Sequence, residues 1–188
     1  MVVGLDHHFA ALRSNDFNRS MTEVVPAAFV CGESRGLPFA NETFDLVFCQ
    51  LALMWMPLEQ TVTEIARVTM AGGVVVAIEP DYGGMLEWPE GAGLKEIWIS
   101  GLERAGADPL IGRKLPGAFA RQGFEVRVET MPGIQPPALA RFGLLRGLPL
   151  TPDEERRVDE VEKRSGVNSS PWDSLVHLPF VMVIGTRL

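Results

Sequence analysis

Between Phe44 and Ile78 the chain switches twice between the strand and helix hydrophobic periods, which restricts it to few folds. Phe44–Cys49 (FDLVFC) is a short β-type run that stops at the polar Gln50. Pro57 opens a stretch in which Leu58, Val62, Ile65, Ala66 and Thr69 recur on one helical face, and Gly72-Gly73 is expected to end it. Val74–Ile78 follows with three consecutive valines, the pattern of a strand buried on both faces. Strand, helix and strand at this spacing form a βαβ unit, hence a parallel sheet with right-handed crossovers. Such sheets bind ligands beyond the carboxyl ends of their strands. Polar residues at those ends are therefore the first candidates for chemistry.

Two further runs precede this unit. Met1–Leu5 ends at Asp6, and Val24–Cys31, whose strand proper should begin after Pro26, leads into Gly32-Glu33-Ser34. Phe9 and Leu12 suggest a short helix between them. Beyond Asp81 the texture changes, with Tyr82-Gly83-Gly84 and Trp88-Pro89 reading as an aromatic loop. Leu94, Ile97, Trp98, Leu102 and Ala105 mark an amphipathic helix ending near Gly106. Pro116–Gln122 reads as another, with Gly123 as its stop. Phe124–Thr130 alternates like a half-exposed strand, and Phe180–Thr186 is expected to pair with it antiparallel. Thr151-Pro152-Asp153-Glu154 is a capping box. It opens a charged helix with a contact stripe at Val158 and Val161 and i,i+4 pairs Asp153–Arg157, Asp159–Lys163 and Glu160–Arg164. The expectation is one α/β domain over 1–188, with a cofactor-side half at 1–84 and substrate-side helices and C-terminal strands at 85–188.

Composition excludes some classes of function. A net charge of −7 without a Lys/Arg run argues against nucleic-acid binding. No apolar run is long enough for a bilayer, and the start has no signal-peptide pattern, so no membrane partner is expected. Cys31 and Cys49 lie in apolar runs and read as reduced core thiols of a cytoplasmic protein. No ligand spacing links them to His7, His8 or His177, so no metal is expected.

Asp6, Glu33, Gln50 and Glu79 each end an expected strand, and on one sheet edge they would converge on one crevice. A carboxylate at Asp6 can accept both hydroxyls of a ribose. Glu33 can accept from an exocyclic amine, and the Ser34 N–H can serve a ring nitrogen. Together these suit adenosine.

Gly32-Glu33-Ser34, Leu37-Pro38-Phe39 and the run Asn41-Glu42-Thr43-Phe44-Asp45-Leu46-Val47 resemble the S-adenosylmethionine-dependent methyltransferases of the Rossmann-like class I, closest to the ubiquinone/menaquinone-biosynthesis type. Glu64-Ile65-Ala66-Arg67-Val68, Gly72-Gly73 and Glu79-Pro80-Asp81 continue it in order, and Gly112–Pro116 and Gly123-Phe124 follow more loosely. The resemblance implies an α/β, Rossmann-like methyltransferase sheet, mostly parallel with an antiparallel C-terminal edge. It implies S-adenosylmethionine as cofactor, with Asp6 on the ribose, His7 against adenine, Gly32, Glu33 and Ser34 on adenine, and Gln50 and Leu51 at the methionine end. His7 stands where the family has an apolar residue, and Glu33 replaces the commoner Asp.

The family's first strand and glycine-rich loop should precede Asp6, where five residues leave no room for them. The first central strand is thus expected to be missing, with an exposed edge in its place open to a homodimer or a partner subunit. The leading expectation is an N-terminally truncated methyltransferase domain acting on a small organic molecule. Its catalytic residue is unassigned, with Tyr82, Asp81, Trp88 and His177 as candidates near the substrate mouth. The alternative is a non-catalytic methyltransferase-like partner or scaffold protein that no longer binds cofactor. A nicotinamide-dependent Rossmann enzyme shares only Asp6 with this pattern.

Overall fold

The computed structural model describes residues 1–8, 10, 27–89, 94–131, 134, 137–165, 170 and 172–188. The helix expected around Phe9 and Leu12, and the start of the second strand at Val24, lie outside them. The strands are β1 (Val2–Asp6), β2 (Ala27–Cys31), β3 (Phe44–Gln50), β4 (Thr69–Pro80), β5 (Leu86–Trp88), β6 (Phe124–Thr130), β7 (Leu175–His177) and β8 (Phe180–Arg187). The helices are α1 (Leu58–Val68), α2 (Leu94–Arg104), α3 (Ile111–Arg121), α4 (Ala140–Arg146) and α5 (Pro152–Ser165).

The main sheet has the order β3-β4-β8-β6. The β3–α1–β4 unit is parallel, as the spacing predicts, and β8 runs antiparallel to both β4 and β6. The final strand is therefore inserted between β4 and β6, and β6 forms the edge. Val75 and Ala77 are fully buried on one face of β4, while Val74, Val76 and Ile78 are partly covered on the other. β1 and β2 form a separate parallel pair, and among the described residues no ladder joins β1 to β3. β5 and β7 make a short antiparallel ribbon, so Trp88 belongs to a strand and not to a loop.

Gly72-Gly73 does not end α1. Thr69 already ends it, turning to extended backbone while its N–H and its hydroxyl both donate to the Ile65 carbonyl. The glycines instead lie in a bulge of β4: β3 advances from Phe44 to Leu46 while β4 advances from Thr69 to Val74. Gly72 has φ +75, and a Cβ on Gly73 would sit 2.9 Å from the Met70 carbonyl oxygen. A left-handed residue beside a crowded one suits a glycine pair.

α3 starts at Ile111, five residues before Pro116, which lies inside the helix. A proline read as a helix start thus sat mid-helix, where its missing N–H leaves the Gly112 carbonyl without its usual partner. The helix is held by Ile111, Leu115, Ala118 and Phe119, all buried, with Phe119 meeting Phe124 edge-on at 5.5 Å.

The capping box of α5 forms as expected, with Thr151 N–H donating to Glu154 at 2.7 Å and Glu154 N–H to the Thr151 hydroxyl at 3.3 Å. Val158 is its buried stripe residue. Its carboxylates, however, also reach arginines of other helices. Arg104 of α2 pairs with Glu154, and Arg146 of α4 pairs with Asp159 at 2.7 Å and Glu162 at 2.5 Å. The charged face thus fastens α2 and α4 to α5. Cys31 is exposed on β2, which among the described residues pairs with β1 alone, and this corrects the expectation of a core thiol. Cys49 does pack inward, and burial, with help from the Glu79 charge, pushes its thiol up to about 12.

Candidate functional site

A cleft lies between β1 and β3 and runs along β3 from Phe44 to Gln50. Gly32 N–H donates to the Asp6 carbonyl at 3.1 Å, so the first two strand ends are joined where the polar residues begin. Asp6 accepts the His8 N–H at 2.7 Å, and His7 Nδ1 lies 3.6 Å from the same carboxylate. The His7 side chain is 71% exposed and so covers no apolar surface. Glu33 bridges to Gly36 and faces Arg35 at 3.7 Å, both in solvent. Ser34 accepts a hydrogen bond from the Thr61 hydroxyl of α1 at 3.1 Å.

Between β1 and β3 the cleft has a volume of about 550 Å³. Val3 and Leu5 line one side, Leu46 to Gln50 the other, and Ser34, Leu53 and Ile65 its remaining wall. Of the sequence-derived residues, Ser34 and Gln50 are among its lining, while Asp6, His7, Gly32, Glu33 and Leu51 are not. Leu51 has φ +54, a conformation that branched and bulky residues avoid. Its N–H donates to the Ile78 carbonyl at 3.1 Å, which holds the turn after β3 against β4. Strain of this kind persists only where neighbours impose it.

Glu79 is the neighbour that does so. It does not face an open crevice with the other strand ends, because its side chain is fully buried. Its Oε1 accepts the N–H groups of Ala52 and Leu53, each at 2.8 Å. Those donors open the 3-10 turn Leu53–Trp55 and have no carbonyl to pair with. Oε2 has no hydrogen-bond partner among the described residues. Burial therefore raises the Glu79 pKa, against the lowering effect of the backbone N–H groups.

The Glu64-Ile65-Ala66-Arg67-Val68 motif turns out to be a clamp. Glu64 accepts the Leu37 N–H at 2.7 Å, and Arg67 donates to the carbonyls of Leu37 at 2.9 Å and Phe39 at 2.8 Å. Arg67 also donates to the Asn41 side chain and to both Glu64 oxygens. The Arg67 hydrogen bond holds Glu64 below the usual carboxylate range. One planar guanidinium thus fixes the loop between Gly32-Glu33-Ser34 and β3. Arg67→Lys is expected to lower the melting temperature by several degrees, because a point charge cannot satisfy this fork. Circular dichroism melts of both proteins check it, and an unchanged midpoint contradicts the clamp.

Asp81 is largely buried and accepts both Nε and Nη2 of Arg113 at 2.9 Å. That pair joins the end of β4 to α3 and occupies both Asp81 oxygens. Trp88 is exposed on β5. Tyr82 and His177 do come together, in a second cavity beyond the end of β4. Burial pushes the Tyr82 phenol up, so it stays protonated. Arg141 lines the same cavity and was missed by sequence reasoning, since nothing in its local pattern distinguishes it from a surface arginine. Among the described residues, no three His, Cys, Asp or Glu side chains form a metal-ligating group. No helix there is long and apolar enough to cross a membrane.

Residues 1–77 match a family profile described as a methyltransferase domain. The chain is 35% identical over 69 residues to malonyl-[acyl-carrier protein] O-methyltransferase 1 of Coxiella burnetii, covering 35% of this chain and 24% of that protein. It spans well under half the length of the curated relatives it matches. Its fold is that of the YcgJ protein of Bacillus subtilis, with a TM-score of 0.66 at 15% identity over 98% of this chain and 81% of that one. It also resembles geranyl diphosphate C-methyltransferase of Streptomyces coelicolor A3(2), solved with S-adenosyl-L-homocysteine, with a TM-score of 0.58 at 16% identity over 100% and 62% of the two chains. The architecture is therefore the α/β methyltransferase fold, with a mixed sheet.

Proposed function

We propose that this protein is an S-adenosylmethionine-dependent methyltransferase domain that acts on a small organic molecule. The observation that carries this reading is that the methyltransferase-domain match, residues 1–77, includes every residue lining the cleft between β1 and β3. The residues present fit the cofactor in kind. Asp6 offers an exposed carboxylate to vicinal hydroxyls, and Ser34 and Gln50 offer neutral donors and acceptors. His7, Gly32, Glu33 and Leu51 complete the proposed set around the rim. When bound, the cofactor supplies an electrophilic methyl group on a sulfonium. The chain's own part is to bind and align, because methyl transfer depends chiefly on proximity and orientation.

We further propose that the cleft between β1 and β3 is the seat of an additional central strand, in keeping with a ubiquinone/menaquinone-type domain truncated at its N-terminus. Both bordering strands are parallel-paired on their far sides, and among the described residues neither has a ladder partner on the side facing the cleft. Leu46 and Phe48 of β3 are more than half exposed, which is unusual for apolar residues of a sheet interior. The same open edge favours a second reading, a methyltransferase-like partner protein that has lost its cofactor and docks through that edge.

Isothermal titration with S-adenosylmethionine separates the two. The enzyme reading expects micromolar-range binding that Asp6→Ala weakens about tenfold or more, the worth of a charge-assisted pair of hydrogen bonds. Absence of both heat and thermal shift would overturn it in favour of the partner reading.

A further inference from the structure

The second cavity, about 310 Å³, lies beyond the carboxyl end of β4, and Tyr82, Met85, Trp98, Arg141, Leu144 and His177 are among its lining. Its walls are mostly aromatic and apolar. The Tyr82 and Trp98 rings lie 5.5 Å apart, and Trp98 and Met85 are nearly fully buried. Among the described residues no Asp or Glu contributes to the lining, and the Arg141 guanidinium is its fixed charge.

That guanidinium is poorly satisfied. Nη1 and Nη2 reach the Ala138 carbonyl and the Ser165 hydroxyl at 3.2 Å and 3.3 Å, the long end of the hydrogen-bond range. Nε is shielded from solvent and has no hydrogen-bond partner among the described residues. No ion pair to Arg141 forms among them either, although Glu87 and Glu162 act on it at longer range. The Phe142 ring centroid lies 4.3 Å from the guanidinium carbon, a cation–π contact that helps hold the group. Each Nη group carries two hydrogens and makes only one of these long bonds, so the guanidinium has donor capacity left for an acceptor in the cavity. A carboxylate is that acceptor, since its two oxygens match the guanidinium fork.

We propose that this cavity is a binding subsite for a small, flat, apolar molecule carrying a carboxylate, which pairs with Arg141 while its ring system lies against Tyr82 and Trp98. The cavity sits at the low end of small-molecule pocket sizes, which suits one or two fused rings. Assigning it to the methyl acceptor rests on the function proposed above. Its preference for a carboxylate does not.

The test compares 2-naphthoate with its uncharged counterpart 2-naphthamide by titration against tryptophan fluorescence, without cofactor. The acid is expected to bind at least about tenfold more tightly than the amide, as expected for a charge-assisted fork. Arg141→Gln should bring the two probes to equal affinity. Leu144→Glu, at an exposed rim position, should weaken the acid several-fold and leave the amide unchanged. Equal affinities in the unaltered protein, no binding of either probe, or a preference that survives Arg141→Gln would each overturn the proposal. The unaltered protein alone decides the first two outcomes, so a variant that fails to fold does not blunt the test. Because no cofactor is present, the result stands apart from the S-adenosylmethionine titration.

Discussion

Glu79→Ala is expected to cost about 3 kcal/mol of folding stability, while Glu79→Gln costs less than about 1 kcal/mol. The alanine leaves the N–H groups of Ala52 and Leu53 without an acceptor in a buried place and opens a void beneath the turn. For a domain of this length such a loss lowers the melting temperature by roughly 6–12 °C. The glutamine keeps an oxygen at the accepting position and removes a buried charge. Equal losses for both variants would show that the carboxylate, and not the acceptor oxygen, holds the turn. Since Gln50 and Leu51 immediately precede Ala52, the alanine variant should also weaken S-adenosylmethionine binding.

The same residue gives stability a pH dependence whose sign follows from its burial. Burial raises Glu79 and Glu87 above the ordinary carboxyl value of 4.5, so the folded state holds their protons more tightly than the unfolded state does. Stability then falls as pH rises from that value through the raised folded values, by at most about 1.4 kcal/mol per pH unit for each group. Glu64 is lowered chiefly by its hydrogen bond from Arg67, so its contribution is present above 4.5 and lost as pH falls through its folded value. Stability should therefore peak in the mildly acidic range. Urea titrations across pH 3–8 are expected to show Glu79→Gln flattening the decline on the alkaline side. An unchanged slope would mean that the Glu79 pKa is the same in the folded and the unfolded protein.

The second large effect concerns the cleft between β1 and β3. Fusing a strand of about five residues, a glycine-rich turn and a crossover helix ahead of Val2 is expected to tighten S-adenosylmethionine binding by about a hundredfold or more. The inserted strand would give both open edges a backbone partner and cover the apolar side chains of β3. The glycine turn would add backbone N–H donors at the strand ends. Hydrogen exchange should show new protection at the β3 amides in the fused protein. Unchanged affinity together with unchanged exchange at β3 would show that the cleft does not take a strand.

Much of the architecture was legible from local patterns. Phe44–Gln50, the α1 face and the three valines of β4 announced a parallel βαβ unit, and alternation in Phe124–Thr130 announced a half-exposed strand. These succeed because burial against a sheet imposes its own period on the residues that do it. The failures have physical causes too. Gly72-Gly73 looked like a helix stop because glycine serves bulges and helix ends for the same reason, its freedom at positive φ. Pro116 looked like a helix start because its effect on a helix interior depends on packing that the local sequence does not display. The clamp of Arg67 was hidden because its partners are carbonyls of another segment, which leave no trace in the residue types there.

The sequence by itself determined where two of the strands end, β1 at Asp6 and β3 at Gln50. Periodicity and chain connectivity suffice for that. Only the tertiary structure decided what each polar end does. Glu79 turned inward to cap a turn, Asp81 was taken by Arg113, and Arg141 was left with a buried donor unused beside Tyr82, Trp98 and His177. Those outcomes depend on which distant groups arrive within hydrogen-bond range, and that is a property of the packed fold, not of any stretch of chain.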